Sequence, residues 1–79
     1  MKAKVHITLK PGVLDPQGRA IQQSLAALGF AGLDDVRQGK YIELQLSETD
    51  HDCARAQVEA MCQQLLANTV IETYSIELV

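Results

Sequence analysis

From Val5 to Leu9 the apolar residues Val5, Ile7 and Leu9 alternate with His6 and Thr8, the period-2 pattern of a strand with one buried face. Pro11-Gly12 breaks the run. Asp15-Pro16 then predicts a helix start, with Asp15 as N-cap and Pro16 at the first helical position, where its missing N–H costs nothing. Ile21, Leu25 and Leu28 recur at helical spacing, and Gly29 suits a left-handed residue just past the helix end, with Phe30 folding back on Leu25. Leu33 to Val36 reads as a short second strand and Gln38-Gly39 as a hairpin turn. Ile42, Leu44 and Leu46, alternating with Tyr41, Glu43 and Gln45, make a third strand. Thr49 and Asp50 open a second helix whose apolar stripe is Ala54, Val58, Met61, Cys62, Leu65 and Leu66, ending near Asn68. Tyr74, Ile76 and Leu78 on alternate positions predict a fourth strand in the tail.

The order β-α-β-β-α-β in 79 residues predicts one α+β domain over residues 1–79. Two right-handed strand-helix-strand crossovers place both helices on one face of a four-stranded antiparallel sheet, the ferredoxin-like two-layer sandwich. A folded chain this short removes only about 60% of its unfolded surface from water. A core of that size supplies roughly 3–5 kcal/mol, and small domains of this kind lean on disulfides, metals or partner subunits. A homodimer or a dimer of dimers is therefore expected, with the strand at Leu33–Val36 or the C-terminal strand as the unpaired edge that extends the sheet across the interface.

Composition narrows the class. The apolar fraction of 47% is that of a globular chain, and no apolar run approaches the ~20 residues that span a bilayer. The N-terminus passes straight into strand alternation without the apolar region of a secretory signal, so a cytoplasmic location is expected. The net charge is -3, and the seven Lys and Arg residues form no stripe, which argues against nucleic-acid binding. Cys53 and Cys62 stand nine apart in one helix, more than two turns, too far to pair with each other.

A fold of this order hosts many functions, so function must be sought in a site. Metal capture on such a fold uses a Cys-x-x-Cys in the first loop, which here is Pro11-Gly12-Val13-Leu14. RNA recognition uses aromatic platforms on the central strands, which here carry His6, Thr8, Glu43 and Gln45 with Tyr41 alone. Gly39-Lys40 is followed by Tyr41, not the Ser or Thr of a phosphate loop. Asp15 occupies its own helix N-terminus with a negative charge, which disfavours an anion there. His51 and Cys53, two apart on a helix, point about 200° apart and cannot close on one ion. Asp34 and Asp35 point apart if extended, and His6 has no Ser or Cys partner in sequence. No catalytic, cofactor or metal site follows from the residues.

Three stretches carry a resemblance: "LKPGVLDPQGRAI" from Leu9 to Ile21, "LGFAGLDDVRQGKYIELQL" from Leu28 to Leu46, and "CQQLLANTVIETYSIEL" from Cys62 to Leu78. Together they resemble the PurS family over nearly the whole chain. Thr69 stands where the family often has proline, which loosens the approach to the last strand slightly. The resemblance implies the non-catalytic small subunit of phosphoribosylformylglycinamidine synthase, the ATP- and glutamine-dependent amidotransferase that converts formylglycinamide ribonucleotide to formylglycinamidine ribonucleotide in purine biosynthesis. It further implies two partners, a synthetase subunit (PurL) and a glutaminase subunit (PurQ), with ATP and magnesium used by the complex and not bound by this chain. A small-molecule sensing module of the ACT type shares the element order and is the alternative, with Gly12 or Gly18 in the turn such modules favour.

Three residues exceed what turn chemistry requires. Gly12, Asp15, Pro16 and Gly39 satisfy backbone needs, whereas Gln17, Arg37 and Lys40 occupy places where many polar residues would serve. They are the expected partner-contact residues. Arg37 leads, because a planar guanidinium can bind a partner carboxylate through two parallel hydrogen bonds.

Overall fold

The sheet is built around its first strand. In the computed structural model, which describes residues 1–79, β1 (Lys2–Leu9) leads to α1 (Pro16–Ala27), β2 (Gly39–Gln45), α2 (His51–Met61) with a π-helical continuation over Cys62–Leu66, and β3 (Glu72–Leu78). The sheet order is β2-β1-β3, with β1 antiparallel to both neighbours. Register follows the period-2 pattern. Val5 lies between Ile42 and Ile76, and Ala3 between Leu44 and Leu78, so the apolar positions of three strands share one face.

That face meets α2. Ala3, Val5 and Ile7 are fully buried with Val58 and Cys62, and Ala67 closes the cluster. Asp50 caps α2 by accepting the Asp52 N–H at 3.1 Å, and the π turn ends where the Ala67 N–H reaches the Cys62 carbonyl, five residues back. The opposite face is polar. Lys4 lies in register between Glu43 and Glu77, and Lys2 reaches Glu43 at 3.6 Å. His6 stacks on its cross-strand neighbour Tyr41 with ring centroids 4.8 Å apart.

The fold is α+β with antiparallel strands, consistent with the ferredoxin-like class, in the order β-α-β-α-β. Expectations about the strands, and then about the first helix, are corrected. Leu33–Val36 forms no strand, so the sheet has three strands, not four, and Gln38-Gly39 is not a hairpin turn but the lead into β2. Asp34 and Asp35 are poor strand formers, and the backbone here is engaged elsewhere. The Leu33 carbonyl accepts from the Gln22 side chain on α1 at 2.9 Å, and the Val36 carbonyl packs against Gly18.

The second correction concerns α1. It was expected beside α2 on the sheet, yet its contact with the strands is marginal. Its caps match the sequence: the Asp15 side chain accepts from Gly18 N–H, and at the far end Phe30 N–H bonds Leu25 and Gly29 N–H bonds Ala26, the Schellman pairing. Its apolar stripe, however, faces water. Leu28 is 75% exposed, Phe30 60%, and Ile21 is exposed too. The molecule is accordingly 48 Å long but only 25 by 15 Å across, with a radius of gyration of 15.8 Å against about 12 Å for a compact chain of this length. Only nine of 79 residues are buried. A local helix signal is satisfied by the helix itself, while the partner for its stripe has to come from outside the fold.

Replacing Ile7, at the centre of the only core, with alanine is expected to lower the unfolding free energy by about 2–5 kcal/mol. Leu28→Ala should cost under about 0.5 kcal/mol in protein dilute enough to be monomeric. Urea denaturation of both variants at low concentration checks the contrast.

Candidate interaction site

Three segments converge where α1 leaves the sheet: the exit of β1 (Leu9 to Val13), the first turn of α1, and the approach to β2 (Val36 to Gly39). Asp15 joins two of them. One carboxylate oxygen accepts from Gly18 N–H and the other from Gln38 N–H, each at 2.8 Å. Asp15 is the only buried charged side chain. The Gln38 and Gly18 amides and the nearby Arg37 charge hold its carboxyl below the ordinary value of 3.8.

Arg37 joins the third. Its guanidinium donates to the carbonyls of Val13 at 3.0 Å and Lys10 at 3.1 Å, with a longer contact of 3.5 Å to Leu9. Close approach is enforced by two glycines. A methyl group on Gly18 would collide with the Val36 carbonyl, and one on Gly39 with the Ile7 carbonyl. The polar knot therefore needs glycine at both places.

Around it lie three shallow clefts. One of about 280 Å³ runs between the Gly12–Asp15 loop and Asp35–Arg37, with Arg19 and Gln22 on its rim. A second, about 460 Å³, lies on the other side of Arg37 toward Thr8 and Thr73. The third, about 240 Å³, is bordered by Gln17, Gln38, Lys40 and Glu72. Gln17 and Lys40, singled out from the sequence, thus border one depression, while Arg37 lines the other two. Lys40 pairs with Glu72 at 3.6 Å. Sequence reasoning found Asp15 as a cap but missed its second acceptor. Nothing local to "LDPQG" signals a bond to a residue 23 positions away.

The cysteines are set apart from this end. Cys62 is buried in the core, and burial pushes its thiol up. Cys53 is exposed, but its S–H donates to the Asp50 carboxylate at 3.3 Å, and that bond and charge raise its pKa too. No helix is long and apolar enough to cross a membrane.

The structure is thus a small ferredoxin-like α+β domain with one helix-covered sheet face and a polar knot at the root of a projecting helix. Comparison with known proteins then specifies it. Residues 2–79 match the family profile described as PurS, phosphoribosylformylglycinamidine (FGAM) synthase. The chain is 52% identical over 75 residues to the PurS subunit of that synthase from Synechocystis, covering 95% of this chain and 75% of the relative. A crystal structure of Bacillus subtilis PurS superposes with a TM-score of 0.85 at 49% identity, covering 96% of this chain and 94% of that one. A chain in the structure of PurLQS from Thermotoga maritima superposes with a TM-score of 0.88 at 28% identity, covering 96% and 93%. The chain belongs to the PurS family, and the ACT-type alternative is set aside.

Two outcomes are expected. A depressed folded-state pKa means that ionised Asp15 stabilises the fold above its unfolded value near 3.8, and that this contribution is lost as pH falls through the lower folded value. Asp15→Ser should therefore flatten the decline in stability with acid, as read by denaturation midpoints from pH 6 down to about pH 3. Asp50→Ser keeps the helix cap but removes the charge beside Cys53. It should speed alkylation of Cys53 by iodoacetamide roughly several-fold, while Cys62 stays unmodified in the folded protein, as read by mass spectrometry.

Proposed function

We propose that this chain is the small, non-catalytic subunit of a cytoplasmic phosphoribosylformylglycinamidine synthase, a single domain that joins a synthetase subunit and a glutaminase subunit in purine biosynthesis. The observation that carries the reading is the match along residues 2–79 to a family whose fold recurs in a PurLQS structure. ATP and magnesium act in the synthetase, glutamine in the glutaminase, and this chain contributes contact surfaces.

It works as a homodimer or dimer of dimers. One copy buries nine residues and leaves the stripe of α1 and the outer edges of β2 and β3 without a partner, while Ile42, Leu44 and Leu46 on the β2 side remain only partly buried. A second copy can satisfy both deficits at once, since it carries the matching helix stripe and the matching uncovered strip. The C-terminal strand β3 is an unpaired edge, as is β2, and either can accept a strand across the interface.

Contact with the larger subunits falls at the polar end, through Gln17, Arg37 and Lys40. Gln17 and Lys40 border one depression. Arg37 also supports the loop beneath it, so its contact role is shared with a structural one.

Sedimentation of the purified protein at micromolar concentration should show an oligomer, and a monomer would overturn the self-assembly reading. The isolated protein should hydrolyse neither ATP nor glutamine. Added to synthetase and glutaminase, it should restore glutamine-dependent turnover, and failure to do so would sink the assembly role. Gln17→Ala with Lys40→Ala should weaken assembly about tenfold or more, with a larger deficit at raised salt. Parental assembly at every salt concentration would move the contact surface elsewhere.

A further inference from the structure

The mostly exposed apolar stripe of α1 does little to set the direction in which the helix projects. Its stripe is exposed, its contact with the strands is marginal, and the chain leaves and returns through two irregular segments, Lys10–Asp15 and Leu28–Gln38. Such an arm would swivel freely on those segments unless something other than packing held it. What holds it is the polar knot, in which the side chains of Asp15 and Arg37 bridge the entry and return segments. We propose that Asp15 is a positioning residue: its carboxylate latches the first turn of α1 to the approach of β2 and so fixes the angle at which the arm is presented for self-assembly. The consequence for assembly rests on the oligomer proposed above.

The geometry divides the latch from the cap. A helix cap needs one acceptor, and Gly18 N–H uses one oxygen of Asp15. The second oxygen takes the amide of Gln38, outside the helix and adjacent to the strand that pairs with β1 from Gly39 onward. Arg37, next in the chain, grips the carbonyls of Val13 and Lys10 in the loop that precedes Asp15. The two bridges run in opposite directions between the same pair of segments, so together they remove the twist that either alone would leave. Gln22 to the Leu33 carbonyl ties the return segment to the arm, not to the sheet, and makes arm and return segment one body. The hinge of that body is then the Asp15–Gln38 and Arg37–Val13 pair.

Serine at position 15 distinguishes the roles, because its hydroxyl caps a helix as well as a carboxylate does but reaches only one amide. In a background with Cys53→Ser and Cys62→Ser, spin labels at Ala27→Cys near the arm's end and Gln45→Cys on β2 report the angle as a distance distribution, read in labelled protein diluted with unlabelled protein. Asp15→Ser should keep the helical circular dichroism of the parent, at least double the width of that distribution, speed amide exchange at Gln38 more than at Gly18, and weaken self-association about tenfold. Asp15→Asn should act the same way, since its amide group presents N–H against the Gln38 N–H while its oxygen still caps; it serves if the serine variant does not fold. A distribution as narrow as the parent's in the folded variant overturns the latch. Broadening with parental self-association overturns the link to assembly, and a parent that sediments as a monomer fails the oligomer reading while leaving the distance measurement to decide the latch.

Discussion

Burial of β1 beneath α2 is the contact on which the remaining structure depends, because β1 is hydrogen-bonded on both sides and supplies three of the fully buried side chains, Ala3, Val5 and Ile7. β2 and β3 form ladder hydrogen bonds only with β1, not with each other, so without it there is no sheet. α2 connects those two flanking strands across it, and Val58 and Cys62 fall on the residues that the central strand offers. The polar knot at the other end hangs from the same strand through the carbonyls of Leu9 and Lys10.

A core of this extent leaves the chain short of what folding requires. Ordering one residue's backbone costs roughly 1–2 kcal/mol, and nine buried residues among 79 offset only part of that. Nature's usual remedies for small domains are cross-links, metals or partners. Both cysteines here are free thiols with raised pKa, one of them inside the core. The exposed stripe of α1, with Leu28 and Phe30, is among the apolar surfaces that the fold itself leaves uncovered.

The arrangement suits a joining subunit for a physical reason. A catalytic pocket needs preorganised polar groups with unused hydrogen-bonding capacity, held where water is excluded. At the root of α1 the strongest polar groups, the Asp15 carboxylate and the Arg37 guanidinium, are consumed by backbone amides and carbonyls. They confer shape.

Local pattern determined a great deal. Period-2 alternation placed β1, β2 and β3, the Asp15-Pro16 and Asp50 signals started both helices, and Leu25, Gly29 and Phe30 closed the first with the expected Schellman pairing, since each depends on residues within a few positions of one another. Leu33–Val36 misled, because an apolar pair flanking two aspartates fits a short strand in isolation and only the side chain of Gln22 and the tight approach at Gly18 draw that backbone to α1 instead. Arg37 has a structural role that its residue type does not advertise, since three carbonyls 24 to 28 residues away accept from its guanidinium. The sequence by itself determined three strands, both helices, their N-caps and the family. Which way α1 points, and that one carboxylate serves two segments, were decided only by tertiary structure, because both rest on hydrogen bonds between residues that no local spacing relates.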